Sequence, residues 1–211
     1  MKTSHNARRR FLSAFAALPF LGLAASHAQA RRRYEVLSTP QPKAAPGKIE
    51  VIEFFSYGCN HCYEFHPLIA RWAAKTTASV NFRRVPVTWN PPWASLARLY
   101  YTLEATGDLQ RLDGKVFDAL HKQRQRIYDE KSMRDWYVKQ GGDAGKFQAA
   151  FNSFSVRNKL QVAEQSMQKM RIDSVPTLVV EGRYRMLGDT FPELLANLDA
   201  LIAELRNRGA S

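Results

Sequence analysis

The sequence predicts an α/β sandwich that is interrupted by an all-helical insertion. A strand–helix–strand pattern runs over residues 49–87, and a strand–strand–helix pattern runs from residue 176 towards the C-terminus. Between them the pattern is helical only. Strands from both parts must bury their apolar faces together, so we expect one sheet-containing domain that carries an insertion. We therefore predict a signal peptide at 1–30, a sheet-containing domain at 31–88 and 164–211, and a helical insertion domain at 89–163.

The first 30 residues have the organisation of a cleaved export signal. A basic start that includes Arg8-Arg9-Arg10 precedes an apolar run, and Ala28-Gln29-Ala30 gives the small-x-small pattern of a cleavage site. The apolar run is shorter than the roughly 20 residues that span a bilayer. Arg8 to Leu12 also resembles the twin-arginine pattern, so the export route stays open. Either route ends outside the cytoplasm.

The net charge of +12 raises the question of nucleic-acid binding. Removal of the signal peptide takes away four cations and no acid, which leaves +8. The remaining cations are interleaved with acids, as in Arg134-Asp135, and we find no basic stripe that alternates with aromatic residues. We expect no nucleic-acid partner, and we expect the charge to favour contact with anionic surfaces or partners.

The first strand–helix–strand unit follows a proline-rich lead-in. Five of the seven residues 49–55 are apolar, which predicts a buried strand that ends at Ser56-Tyr57-Gly58. A helix is predicted to begin at the two cysteines that follow, because apolar residues then recur at helical spacing as far as Ala73. Residues 80–87 predict a second strand.

The helical insertion and the final unit follow. Pro91-Pro92 opens a helix that Gly107 closes, and further helices are predicted at 114–126, 132–140, 144–151 and 156–169. Strands are predicted at 176–180 and 183–187 around a turn at Glu181-Gly182. A capping box of Thr190 and Glu193 then opens the last helix.

Cys59 and Cys62 are the two cysteines of the chain. A bridge across a two-residue spacer closes a very small ring, which stabilises a fold little, so a structural staple is the poorer interpretation. Zinc is the second alternative, but a second Cys-x-x-Cys pair is missing, and His61 lies between the cysteines where it can hardly share their site. We therefore favour a redox pair and expect no metal.

The position of the pair predicts its chemistry. The N-terminus of a helix stabilises an anion, so the pKa of Cys59 should lie below the ordinary value of about 8.5, with Cys62 one turn further inside. His61 either stabilises the Cys59 thiolate or is an ordinary exposed histidine. Glu53 either accepts a proton beneath Cys62 or faces solvent at a strand edge. His66 and His121 are predicted to be ordinary surface or packing residues.

The runs at residues 51–65 (VIEFFSYGCNHCYEF) and 174–177 (SVPT) resemble the periplasmic DsbA family of disulfide oxidases. The resemblance covers nearly the whole chain after residue 30. It implies a thioredoxin fold split by a helical domain, with Cys59 as the nucleophile and Cys62 as the buried cysteine. It further implies that Val175-Pro176 forms a cis-proline loop against the pair and that Glu53 is the buried acid of the family.

Two positions depart from the family pattern. Asn60 stands where the best-known members have proline, which removes a rigid residue from the helix start and can shift the redox potential. Arg84 stands where a lysine is often found near the buried acid. Because a guanidinium does not readily lose its proton, Arg84 is a poor candidate for a proton relay.

The sequence thus predicts a protein-disulfide oxidase. The redox-active Cys59–Cys62 disulfide takes the place of a cofactor. The expected partners are reduced exported proteins and a DsbB-like, quinone-coupled membrane oxidase, and the protein is expected to be a monomer. A disulfide isomerase or reductase on the same fold is one alternative. A non-catalytic peptide-binding chaperone with a permanent bridge is the other.

Overall fold

The computed structural model describes residues 32–41 and 47–209. The predicted signal peptide lies outside these residues. Within them the chain forms five strands, seven α-helices and one π-helical turn. In chain order the elements are β1 (Tyr34–Val36), β2 (Ile49–Phe55), α1 (Asn60–Thr76), β3 (Val80–Pro86), α2 (Pro91–Ala105), α3 (Leu109–Phe117), the π-helical turn (Asp118–Lys122), α4 (Glu130–Lys139), α5 (Ala144–Phe151), α6 (Phe154–Lys169), β4 (Thr177–Val180), β5 (Tyr184–Met186) and α7 (Phe191–Gly209).

The strands form one mixed sheet in the order β1-β5-β4-β2-β3. The central strand β2 pairs in parallel with β3 and antiparallel with β4. The parallel register places Glu53 directly beside Arg84. The sequence pattern predicted the other strands but missed β1, a three-residue strand in the irregular lead-in that pairs antiparallel with β5. So short a segment carries no recognisable alternation of its own.

Two groups of buried side chains fill the interior. In one, Phe65 and Ile69 of α1 pack with Val51 of β2 and with leucines of α7. In the other, Ile52 and Phe54 of β2 pack with apolar residues of the helices between β3 and β4. Val51 and Ile52 belong to different groups, because successive side chains of a strand point to opposite faces of the sheet. The order strand–helix–strand, helices, strand–strand–helix is the one that the sequence predicts.

The helical region differs from the prediction at one place that matters for the site. Residues 114–126 were expected to form one helix. Instead α3 ends at Phe117, and a π-helical turn follows in which the Gln123 N–H donates to the Asp118 carbonyl. A π-helical turn inserts a residue into the helical repeat, and such turns are frequent at functional sites. The proposed domain boundary between residues 163 and 164 falls inside α6.

Among residues 32–41 and 47–209, no helix combines the length and the apolar character that a bilayer crossing requires.

Candidate active site

Cys59 is the N-cap residue of α1, as the sequence predicted. Its backbone is extended (φ −95°, ψ 122°), and its Sγ accepts a hydrogen bond from the Cys62 N–H at 3.4 Å. The first turn of α1 contains no acidic residue, so no carboxylate of that turn repels a negative charge on that sulfur. Both cysteines are free thiols in this structure; Cys59 is half-buried and Cys62 is fully buried.

The two thiols differ strongly in acidity. A hydrogen bond from the Cys62 side chain lowers the pKa of Cys59 to about 6; burial opposes this effect, and the backbone N–H groups of Cys62 and His61 reinforce it. The pKa of Cys62 is raised well above its ordinary value, first by burial and then by the neighbouring Cys59. In the reduced pair, therefore, Cys62 holds the proton and Cys59 carries the negative charge at neutral pH.

His61 contributes less than the helix does. Its imidazole is 75% exposed and lies 3.4 Å from the Glu64 carboxylate. The charge of His61 lowers the pKa of Cys59, in the direction that the sequence analysis proposed, but it is the smallest of the effects just described. Water and Glu64 both screen that charge.

The chain segment before β4 lies against the pair. The Val175–Pro176 peptide bond is cis, and the Val175 carbonyl oxygen lies 3.5 Å from the Cys59 Sγ. A groove of about 680 Å³ opens beside this contact. The groove is lined by His61, the segment 174–177, and residues between the end of β5 and the start of α7, such as Met186, Leu187 and Phe191. Cys59 therefore sits next to a partly apolar groove of peptide dimensions.

Glu53 faces the interior, which excludes the solvent-edge alternative. Its side chain is fully buried, and Arg84 Nε donates to its Oε2 at 2.6 Å. Arg84 Nη1 donates to Asp113 of α3 at 2.7 Å, and the Tyr57 hydroxyl donates to the same carboxylate at 2.5 Å. The Arg84 guanidinium also lies over the Phe55 ring at 3.7 Å. One cation thus joins two carboxylates beneath the redox motif.

This polar cluster holds Glu53 ready to titrate. Burial raises the pKa of Glu53, and the charge and hydrogen bond of Arg84 oppose the rise without cancelling it. Burial alone would lower the pKa of Arg84, but Glu53 and Asp113 outweigh it, so the guanidinium stays charged. Glu53 Oε1 has no hydrogen-bond partner among the described residues. A buried carboxylate with a raised pKa and a free oxygen is suited to exchange a proton.

Two partners of the site were not predicted from the sequence. Asp113 completes the Arg84 cluster, and His66 lies 3.6 Å from the Asp113 carboxylate. His121 was interpreted as an ordinary histidine. Both Asp113 and His121 reach the motif from the helical insertion. The one signal in the sequence for Asp113 and His121 is that both are titratable residues in a helical segment that faces the cysteines.

His121 holds the start of α1 in place. Its Nε2 donates to the Tyr57 carbonyl at 2.7 Å, and its Nδ1 lies 2.8 Å from the Asn60 side-chain oxygen. The ring stacks on Tyr63, whose hydroxyl donates to Asp118 at 3.0 Å. The π-helical turn supplies both His121 and Asp118. Asn60 is the first helical residue, a position that also accepts proline, and here its side chain is used for the contact with the insertion.

We expect His121 and Asn60 to be energetically coupled. Each single replacement, His121→Ala and Asn60→Ala, should lower the free energy of unfolding by about 1 kcal/mol. The double variant should lose about 0.5–1 kcal/mol less than the sum, because the shared contact is lost only once. Urea unfolding of the four proteins measures this. Strict additivity would show that the contact contributes nothing.

Over residues 32–41 and 47–209, no three side chains of His, Cys, Asp or Glu are grouped to hold a metal ion.

Comparisons with known proteins agree with this geometry. Residues 65–198 match the family model described as a DSBA-like thioredoxin domain; the match begins just after Cys62. The chain is 37% identical over 199 residues to the thiol:disulfide interchange protein DsbA of Burkholderia cepacia, covering 89% of this chain and 94% of the relative. It is 39% identical over 188 residues to the DsbA of Bordetella pertussis, covering 86% and 88%.

Solved structures lead to the same family. The crystal structure of Pseudomonas aeruginosa DsbA superimposes with a TM-score of 0.81 at 35% identity, covering 85% of this chain and 95% of that one. The structure of DsbA from Xylella fastidiosa gives a TM-score of 0.78 at 31% identity, covering 83% and 96%. With the cysteine pair at the start of α1, these likenesses place the chain in the DsbA family of thioredoxin-fold thiol–disulfide oxidoreductases.

Proposed function

We propose that this oxidoreductase acts as a dithiol oxidase, which donates its Cys59–Cys62 disulfide to cysteines of newly exported proteins. The observation that carries the proposal is the low pKa of Cys59, about 6, at the N-terminus of α1. A stabilised thiolate favours the reduced form of the pair. The disulfide form is therefore a strong oxidant, and Cys59 is a good leaving group.

The reaction is proposed to pass through a mixed disulfide. A substrate thiolate attacks the Cys59 sulfur, the Cys59–Cys62 bond breaks, and Cys62 leaves with the electron pair and takes up a proton. A second substrate thiolate then attacks the substrate sulfur of the mixed disulfide and expels Cys59 as a thiolate. Two electrons pass from the substrate to the pair, and the cysteines themselves carry them without a further cofactor.

Glu53 is proposed to supply the proton that Cys62 needs. Among the smaller influences on the pKa of Cys62 is the negative charge of Glu53, which raises it. The raised pKa of Glu53 lets the carboxyl hold a proton closer to neutrality than an exposed acid does. Arg84 keeps its charge and orients the carboxylate, so we assign it a positioning role.

The groove beside Val175-Pro176 is proposed to hold the substrate chain. The Val175 carbonyl is close enough to Cys59 to bound the position of an attacking sulfur, and the lining combines backbone groups with apolar side chains. Such a lining suits an extended peptide of varied sequence. Asn60 and His61 form the exposed rim of the motif.

The setting of the reaction follows from the family and the predicted signal peptide at residues 1–30. We propose that the protein works in the periplasm. A DsbB-like, quinone-coupled membrane oxidase would reoxidise Cys59 and Cys62. We assign the helical insertion to residues 89–163. Through Asp113 and His121 it would support the redox motif from outside the sheet.

The direction of the reaction is tested by mixing the oxidised protein with a reduced peptide that carries two cysteines. We expect one peptide disulfide to form for each protein disulfide consumed, as quantified by mass spectrometry after acid quenching. Rearrangement of a scrambled disulfide substrate without net oxidation would indicate an isomerase instead. A protein whose bridge stays intact in the presence of the peptide would support the chaperone alternative.

A further inference from the structure

A concentration of positive charge lies beside the redox motif. Residues 119–128 include Lys122, Arg124 and Arg126 and contain no acid, so the charge is less evenly spread than the chain as a whole suggests. The π-helical turn and the loop after it bring part of this run to a cavity of about 370 Å³. We call this cavity the basic pocket; its lining includes Gly58, Asn60, His121, Arg124, Arg126 and Tyr128.

The cations of the basic pocket are uncompensated. Arg124 and Arg126 are exposed, and neither forms an ion pair with any carboxylate of residues 32–41 or 47–209. The nearest acids along the chain bind other groups, since Asp118 accepts from the Tyr63 hydroxyl and Asp129 caps α4, and neither pairs with Arg124 or Arg126. Two guanidinium groups without counter-charges give the pocket a positive potential that attracts anions.

The loop that carries these arginines has a defined shape. Arg124 has a φ of +55°, a left-handed conformation that costs a non-glycine residue free energy. The N–H groups of Gln123 and Gln125 hold it there by donating to the Asp118 and Ala119 carbonyls, both at 2.8 Å, and Ile127 anchors the loop in the core. Arg124 therefore has a backbone conformation that glycine or asparagine adopts at a lower free-energy cost. Such conformations are frequent at ligand-binding loops.

The basic pocket lies beside the redox motif and is separate from the groove. Gly58 and Asn60 are the two neighbours of Cys59 in the chain, and the pocket shares no lining residue with the groove beside Val175-Pro176. Each residue of an extended chain advances about 3.3–3.6 Å. When a substrate cysteine is held at Cys59, a side chain two or three positions along the substrate therefore reaches the pocket beside the motif. Guanidinium forks match carboxylates in a bidentate fashion.

We propose that the basic pocket is a substrate subsite for acidic side chains that flank the reacting cysteine. This subsite rests on the proposed function, because the substrate cysteine must be held at Cys59. Arg124 and Arg126 bind the carboxylate, and substrates with acidic flanks are oxidised faster than neutral ones.

The test compares reduced two-cysteine peptides that differ only in the residues two and three positions from one cysteine, which are Glu, Gln or Lys. Two series are made: in one the variable residues precede that cysteine, and in the other they follow it. The readout is the ratio of the second-order rate constants for the Glu and Gln peptides within each protein, so a general loss of activity cancels. For the wild type in the favourable series, we expect about a threefold to tenfold preference for Glu at about 20 mM salt. The preference should approach one at about 0.5 M salt, where charges are screened.

Arg124→Gln/Arg126→Gln should bring the ratio close to one, and Arg124→Glu/Arg126→Glu should make the Lys peptide the faster substrate. Arg71→Gln/Arg206→Gln is the matched control, because it removes the same charge from exposed residues outside the pocket and should keep the preference. The subsite would be overturned if the Glu/Gln rate ratio fell equally in Arg124→Gln/Arg126→Gln and in Arg71→Gln/Arg206→Gln. The subsite would also be overturned if the protein bound anionic lipid vesicles through Arg124 and Arg126 but oxidised the Glu and Gln peptides at equal rates. If none of the peptides were oxidised, the proposed function itself would fail.

Discussion

Cys59→Ser is expected to oxidise a reduced two-cysteine peptide about a thousandfold more slowly than the wild type, or not at all. The variant cannot form the Cys59–Cys62 disulfide, and it lacks the sulfur that a substrate thiolate attacks. Cys59 is half-buried at the surface, and its hydroxyl replacement can still cap α1, so the fold should be kept. Peptide oxidation followed by mass spectrometry, with circular dichroism as the check on the fold, measures both expectations.

Cys62→Ser is the matched partner of that variant and separates the roles of the two cysteines. Its Cys59 thiolate can still attack a substrate disulfide, but no second thiol follows to resolve the product. We expect a persistent mixed disulfide between Cys59 and the substrate, visible on a non-reducing gel. If Cys59→Ser trapped the substrate and Cys62→Ser did not, the assignment of the nucleophile would be reversed.

Arg84→Met is expected to lower the free energy of unfolding by about 3–5 kcal/mol at pH 7. The change leaves the buried Glu53 carboxylate without its cation and Asp113 without one of its donors, and it removes the contact with Phe55. Arg84→Lys keeps the charge but cannot serve both carboxylates with a planar fork, so an intermediate loss is expected. Urea unfolding of the three proteins gives the comparison.

The pH dependence of this loss identifies its cause. Burial raises the folded-state pKa of Glu53, so the stability linked to Glu53 is fully present below its ordinary value near 4.5 and is lost as pH rises through the folded-state pKa. Without Arg84 the charged form is penalised further, which enlarges the loss at neutral pH. At pH 4 the carboxyl is mostly protonated in the unfolded chain, and its raised pKa favours the protonated form further in the folded protein, so the deficit of Arg84→Met should shrink. An equal deficit at both pH values would assign the loss to packing alone.

The sequence predicted the parts of the site that are local along the chain. The apolar run of β2, the turn at Gly58 and the helical spacing after Cys62 together place Cys59 at a helix N-terminus, where the structure has it. The Cys-x-x-Cys spacing brings the Cys62 side chain, which lowers the pKa of Cys59 most, and the helix N-terminus adds the backbone N–H groups of Cys62 and His61. The resemblance to the DsbA family added the cis bond before Pro176, which spacing and composition could not supply.

The parts that the sequence did not predict depend on contacts across the fold. Alternation could not decide which way Glu53 points, because almost every residue of β2 is buried. Its pairing with Arg84 comes from a parallel register, and Asp113 and His121 arrive from the helical insertion. The π-helical turn that aims His121 at Asn60 replaces a helix that the pattern predicted as continuous. None of these contacts leaves a periodic signal in the sequence.

The redox equilibrium of the protein with glutathione, measured between pH 5 and pH 8, tests the central claim most directly. The claim predicts a reduction potential near the oxidising end of the scale, closer to about −120 mV, the value for the well-characterised DsbA, than to about −270 mV for thioredoxin. The potential should fall by about 59 mV per pH unit below pH 6 and by about 30 mV above it, because the reduced pair binds only one proton once Cys59 is a thiolate. A potential near −270 mV, with no change of slope before pH 8, would contradict an oxidase driven by a stabilised Cys59 thiolate.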